Sequence, residues 1–391
     1  MTYKCRVCGN ISLFEVLDMG SMPLAGDFRP LGEVNKLFPL AIDGCDFCGV
    51  LQVREIVDPS ILFKEDYSYS SSTIPELVSH FQSYAVSASS RFNVKGKRLL
   101  EIGCNDGIFL EPLSKFGFKV VGIDASENVS LFAQKRGLDV HIGFFDKNNA
   151  KKLIEKYGLF DIVTCSNMFA HNADVHKIIE AASSLLTPEG EFWVEVHSAH
   201  ALYKGLQWDC FYHEHCFYWT IEAIAKCFSM HGFLLKFYEN TPMHGGSIRA
   251  FFSRVGNSIS VNNNLIHPSD WEIFSHKCLK SRELIYESIQ NLPVKYAYGA
   301  SGRAVMLINW AGIANSLEFV VDGSPLRFNK AIPNTLIPVI SEKEFFAKSD
   351  VNDFCFVTAH NYLEGIRQKV NSAFPFIQMK YIIPLPDVKI K

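Results

Sequence analysis

Two C-x-x-C pairs, Cys5-Arg-Val-Cys8 and Cys45-Asp-Phe-Cys48, each run directly into a glycine, Gly9 and Gly49. A tight knuckle of this kind aims two sulfurs at one point. Two knuckles supply the four thiolates of a tetrahedral zinc site. Four protein ligands leave no open position for water, so the zinc is expected to be structural. Redox chemistry is the competing use of C-x-x-C, but two copies without a thioredoxin-like pattern count against it. Between the pairs, Gly20, Pro23, Gly26, Pro30 and Gly32 read as loop.

A second group suits proton transfer. The run FYHEHCFY over 211–218 sets Tyr212, His213, Glu214 and His215 among aromatics. An imidazole titrates near ~6.5 and works as a base at neutral pH. A neighbouring carboxylate could orient it and favour its charged form. The H-x-H pattern could equally hold a metal, and such a cluster taken alone could be surface decoration. His171, in NMFAH, falls just past a predicted strand and favours a functional cleft. His244-Gly245-Gly246-Ser247 is a glycine-rich turn before a strand at 248–252, suited to closing a site. The polar stretch Tyr67-Ser-Tyr69-Ser-Ser-Ser reads as a lid, a substrate loop or a solvated linker.

These side chains need a frame, and the frame is legible at 94–110, VKGKRLLEIGCNDGIFL. A buried-strand pattern at 98–102 meets Gly103-Cys-Asn-Asp-Gly107, and a helical pattern resumes at 108. Glycines in a strand-to-helix turn let the backbone approach a ligand closely. The spacing E-x-G-x-x-x-G, from Glu101, differs from the dinucleotide fingerprint G-x-G-x-x-G. A second strand, 119–123, ends in Asp124, about twenty residues past Gly103, where a carboxylate can accept both ribose hydroxyls. Strands at 160–165, followed by Asn167, and at 191–196 alternate with helical patterns. The fold class is therefore α/β, a parallel doubly wound sheet with its ligand at the C-terminal strand ends. A Rossmann-like domain for a dinucleotide, or for no ligand, is the competing reading.

A strand at 294–298 leads into Gly299-Ala-Ser301-Gly-Arg303 and a helical pattern at 304–311. A helix N-terminus is a ready anion site, and Arg303 could clamp a phosphate. Strands at 317–321, 338–340 and 354–358 complete a second, smaller α/β domain. The expected division is 1–65, a zinc module; 66–288, the ligand-binding domain; and 289–391, the second Rossmann-like domain. With 391 residues, two or three domains are expected. A net charge of −3 offers no basic face for nucleic acid. No apolar run approaches the ~20 residues of a membrane span, and no signal-peptide pattern opens the chain. A cytoplasmic protein is expected, with its eleven cysteines reduced.

In order along the chain, the motifs resemble those of nucleotide-sugar C-methyltransferases: paired C-x-x-C, Y-x-Y-x-S, E-x-G-x-N-D-G, Phe-Ala-His, Y-H-E-H, H-G-G-S-I-R, then G-A-x-x-x-x and V-V-D. The resemblance covers nearly the whole chain, and Y-H-E-H with H-G-G-S-x-R is its most specific part. It implies a class I methyltransferase domain that binds S-adenosylmethionine through Glu101, Gly103, Asn105, Asp106, Gly107, Asp124 and Asn167. His215 would be the base, with Glu214 or Tyr212 orienting it, and His171 and Tyr69 beside the reacting sugar. His171 or a tyrosine would donate to the developing oxyanion. Tyr67, His244, Gly246, Ser247, Arg249, Gly299, Ser301 and Arg303 would contact the substrate. That substrate is expected to be a nucleotide-linked 4-keto-deoxysugar, and the protein a monomer or homodimer. Two departures stand out: G-A-S-G-R-A where relatives often have G-A-P-A-K-G, and Trp219 after Tyr218. The resemblance leaves room for O-methylation, or for an inactive, zinc-bearing binding protein.

Overall fold

The computed structural model describes residues 3–62, 70–91, 94–262, 264–349 and 351–391. Tyr67 and Tyr69 lie outside them. The stretch read as loop between the cysteine pairs is mostly a hairpin. Strands Leu13–Pro23 and Leu37–Cys45 pair antiparallel, with a register shift between Asp18 and Ser21. Gly20 sits inside that shift at φ +72°, so the glycine bends the strand instead of ending it. Strand Leu51–Val53 pairs with Leu37–Cys45, and Phe217–Tyr218 pairs with Leu51–Val53 in turn. The fourth strand is the end of the FYHEHCFY run, so the histidine cluster is stitched to the zinc module.

The central sheet has seven strands, in the order Leu234–Thr241, Ser247–Ser253, Leu186–His197, Phe160–Ser166, Arg98–Ile102, Lys119–Asp124, Val140–Ile142. Ser247–Ser253 alone runs antiparallel to both of its neighbours; the pairs from Leu186–His197 to Val140–Ile142 are parallel. This is the doubly wound sheet the alternating patterns predict. It brings Gly103, Asp124, Asn167 and His197 to one edge, just past the C-terminal ends of four strands.

The C-terminal part is a six-stranded sheet, ordered Val339–Ser341, Phe319–Asp322, Tyr296–Tyr298, Phe354–Val357, Lys380–Ile383, Lys389–Ile390. Its first five strands are parallel, as a second α/β unit requires.

The three parts share buried apolar clusters. One joins Cys5, Val7, Cys45 and Cys48 to the central-sheet residues Leu100, Val163 and Val194. Another joins Val16 and Leu40 of the hairpin to Trp271 and Phe274 of helix Pro268–Asn291 and to Val305 and Val320. Within it, Trp208 meets Trp310 edge-on, centroids 4.8 Å apart, and its indole donates to Ser281. Such a ring pair adds about 0.5–1.5 kcal/mol beyond the area it buries. Among the described residues, no helix is long and apolar enough to cross a membrane.

Candidate active site

The four knuckle sulfurs lie within 4.8 Å of one another. Cys5 to Cys48 is 3.7 Å and Cys8 to Cys45 is 3.6 Å. A tetrahedron with ~2.3 Å zinc–sulfur bonds has edges of about 3.8 Å, so this donor set fits zinc. Hydrogen bonds within the cluster lower the pKa of the Cys45 thiol and raise those of Cys5 and Cys48; a bound metal requires all four as thiolates. The cluster is buried beneath the central domain, away from both cavities described next.

The first cavity opens at the sheet edge and is lined by Glu101, Gly103, Asn105, Asp124, Ser126, Phe144 and Asn167. Gly103 stands at φ +73°, and a Cβ there would strike Met168 at 2.4 Å. Both oxygens of Asp124 are oriented by backbone N–H groups, Oδ2 by Asn105 and Oδ1 by Ser126, each at 2.8 Å. Burial pushes its carboxyl up from the ordinary value. Glu101 is buried with Oε2 unpartnered, and burial together with Asp124 and Asp106 raises its pKa well above the usual carboxylate range. An acidic, glycine-walled cradle of this kind suits a ligand carrying ribose hydroxyls and positive charge.

Asp106 and Gly107, expected to bind cofactor, do not line this cavity. Asp106 Oδ2 instead accepts from the Ser70 hydroxyl at 2.6 Å and the Ser72 backbone at 2.9 Å, tying down the strap that follows Tyr69. Gly107 is needed for packing: at φ +80° a Cβ would strike Leu138 at 2.4 Å.

The second cavity lies between all three parts of the chain. Gly26 and Phe28 line it from the hairpin, His171, His197, Tyr212, Glu214, His215 and His244 from the centre, and Ser301, Arg303, Arg327 and His360 from the C-terminal part. Asn167, His171 and His244 line both cavities and form the wall they share. His244 holds a left-handed backbone, φ +56°, a costly choice for a residue with a Cβ.

His215 Nε2 lies 3.1 Å from the Tyr212 hydroxyl, and Nδ1 has no hydrogen-bond partner. Burial, then the nearby imidazoles of His171, His197 and His244, lower its pKa well below 6.5, so it is neutral at physiological pH. Of the two expected orienting groups, only Tyr212 touches the ring. The Glu214 carboxylate turns the other way and accepts from the Gly26 backbone N–H at 2.8 Å. Burial lifts it to about 7. His171 donates from Nδ1 to the Glu214 backbone carbonyl at 2.6 Å, so this N–H is not available to an oxyanion. His213 faces away, toward the Phe38 and Pro39 carbonyls of the hairpin.

Several expected substrate contacts are engaged within the protein. Arg303 does not present a free fork to phosphate. Nε and Nη2 donate to both oxygens of the buried Asp209 at 2.7 and 2.8 Å, with His360 Nε2 3.2 Å from the same carboxylate. Burial pushes Asp209 up, but Arg303 and His360 outweigh it and hold the carboxyl below its usual range. Arg249 reaches neither cavity: it is buried between Glu195 and Glu239, with its guanidinium over the Tyr84 ring. Gly246 packs against Ala201, Ser247 donates to the Met243 carbonyl, and Gly299 packs against Ala359. Of the His-Gly-Gly-Ser-Ile-Arg run, only His244 lines a cavity. Ser301 lines the second cavity and caps helix Gly302–Trp310 through Ala304.

Sequence reasoning missed Asp209, His197 and His360. Asp209 stands just upstream of Tyr212, whereas His197 and His360 lie at or just past the C-terminal ends of parallel strands, where ligands gather.

Comparison with known proteins agrees with this architecture. The putative zinc binding domain family matches residues 5–63, the methyltransferase domain family 78–235, and the C-methyltransferase C-terminal domain family 242–386. C-methyltransferase NovU of Streptomyces niveus is 26% identical over 412 residues, spanning 99% of this chain and 96% of that protein. A ubiquinone biosynthesis O-methyltransferase of Colwellia psychrerythraea is 28% identical over 182 residues, 46% of this chain and 60% of that one. The solved magnesium protoporphyrin IX methyltransferase of Synechocystis PCC 6803 with bound SAM aligns with a TM-score of 0.35 at 17% identity, covering 46% of this chain and 79% of that one.

The chain is an S-adenosylmethionine-dependent methyltransferase of the class I fold. It carries, in chain order, matches to a zinc binding domain in front and a C-methyltransferase C-terminal domain behind, and it is similar to C-methyltransferase NovU along nearly its whole length.

Proposed function

We propose that this C-methyltransferase acts on carbon 3 of a nucleotide-linked 4-keto-6-deoxyhexose, in deoxysugar biosynthesis. The observation that supports the reading best is the shared wall: Asn167, His171 and His244 border both the acidic cofactor cradle and the histidine-lined cavity. A base on one side of that wall faces a methyl donor on the other. On this reading the chain divides near residues 65 and 288, and the C-terminal part holds the nucleotide. Asp124 accepts the ribose hydroxyls, and Glu101 and Asn167 complete the cradle.

A 4-keto group acidifies the proton on carbon 3, because the charge left behind spreads onto oxygen as an enolate. His215 takes that proton. With Nε2 engaged by Tyr212, Nδ1 is the nitrogen left to accept it. Burial keeps the imidazole neutral beforehand, the form a base requires. The Tyr212 hydroxyl also lines the cavity and is placed to donate as the enolate oxygen gains charge. Bound S-adenosylmethionine supplies an electrophilic methyl on a good leaving group, so the protein contributes mainly position. Incubation with a panel of 4-keto nucleotide sugars, read by mass spectrometry, tests the reading. One added methyl on at least one sugar is expected; no mass gain across the panel overturns it.

A further inference from the structure

We propose that His197 reads a ring hydroxyl of the sugar and so sets which 4-keto sugars this enzyme accepts. The inference rests on the nucleotide-sugar reading above.

His197 closes strand Leu186–His197, at the C-terminal edge of the central sheet. Its side chain lines the second cavity together with Tyr212, His215 and His244. The residue is only 7% exposed, yet Nε2 has no hydrogen-bond partner among the described residues. An unpartnered buried polar atom is costly, and proteins rarely leave one without a use. The imidazole is also not placed for charge. Burial, Arg303 and His244 hold its pKa down at about 3, although the Gln207 side chain hydrogen-bonds in the opposing sense. It is therefore a neutral polar group.

Of the nearby cations, Arg303 is closed on Asp209. Arg327 sits 3.3 Å from an oxygen of Asp322 through Nη1 while its buried Nε is unpartnered, so it offers a charged donor where His197 offers a neutral nitrogen. The five imidazoles of the cavity also divide by partner. His171 is bonded to the Glu214 carbonyl, His215 to Tyr212, and His360 to Asp209. His244 sits on the wall shared with the cofactor cradle. His197 is the one whose Nε2 is both buried and unpaired, on the substrate side alone. A neutral imidazole nitrogen of this kind pairs with a hydroxyl. A site built to hydrogen-bond a hydroxyl rejects the analogue lacking it far better than an apolar pocket rejects an extra group.

A 4-keto-6-deoxyhexose bound through carbon 1 keeps ring hydroxyls only at carbons 2 and 3. The test measures kcat/KM for the parent nucleotide sugar and its 2-deoxy and 3-deoxy analogues, with wild-type enzyme, His197→Phe and His197→Gln. Wild type is expected to prefer the parent over one analogue by about 10- to 100-fold. His197→Phe is expected to erase that preference, with Kd for S-adenosylmethionine unchanged. His197→Gln, whose amide reaches toward the Nε2 position, is expected to restore part of it and guards against a folding defect in the Phe variant. A preference unchanged in both variants overturns the proposal. So does an equal loss on all three sugars, which would make His197 part of the chemistry or the scaffold. If wild type methylates none of them, the sugar reading itself fails; if it methylates them and the ratios do not respond, only the His197 inference fails.

Discussion

At the residue scale, the decisive feature is that burial leaves His215 neutral and a hydroxyl holds one of its nitrogens. General-base removal is typically worth ~10²–10⁴ in rate. His215→Ala is expected to lose that factor in kcat while calorimetry shows S-adenosylmethionine bound as before. Asp124→Ala should act in the opposite pattern. Its carboxylate is preoriented by Asn105 and Ser126 toward the cofactor cradle, so the variant should bind cofactor at least about tenfold more weakly. An unchanged dissociation constant would remove Asp124 from the cradle. Asp124 was legible from its place at a strand end, and Tyr212 and His215 as members of a cluster suited to proton transfer; the choice of His215 as base came from the resemblance alone. The partner of Arg303 was not: Asp209 is 94 residues away, and nothing local signals that the two charges meet.

At the scale of elements, the glycine turn and the strands around it follow the sequence pattern almost residue for residue, since periodicity reports burial directly. Strand Arg98–Ile102 and the end of Lys119–Asp124 at Asp124 are examples. The hairpin between the cysteine pairs was hidden because its glycines and prolines look like loop, yet Gly20 sits at a register shift and Pro23 at a strand end. Strand Phe217–Tyr218 was hidden for another reason: two residues carry no period, and only its pairing with Leu51 and Gln52 defines it. Two predictions belong here. Cys45→Ser should release zinc and loosen the hairpin; full metal content by atomic absorption would contradict the four-thiolate site. Asp209→Ala leaves the Arg303 guanidinium buried without its partner, which should cost about 3–5 kcal/mol in chemical denaturation.

For the whole molecule, the histidine-lined second cavity lies where hairpin, central sheet and C-terminal sheet meet, and shared apolar clusters hold them together. That junction is rich in imidazoles kept neutral by burial, His197 near 3 and His244 near 4 against an ordinary value of 6.5. Both are depressed in the folded state, so their contribution to stability is complete above about 6.5 and is lost as pH falls toward 4 and then 3. The denaturation midpoint should therefore drop between pH 7 and 4, and His244→Asn should flatten the slope.

On the proposed mechanism, His215 breaks a carbon–hydrogen bond before any methyl moves. Proton NMR of a 4-keto-6-deoxy nucleotide sugar incubated with enzyme in deuterium oxide, without methyl donor, reads that step alone. Loss of the carbon 3 proton signal with wild type, and its persistence with His215→Ala, is the predicted result. Exchange that proceeds equally well in the variant, or that never occurs with wild type on a sugar it methylates, would contradict it.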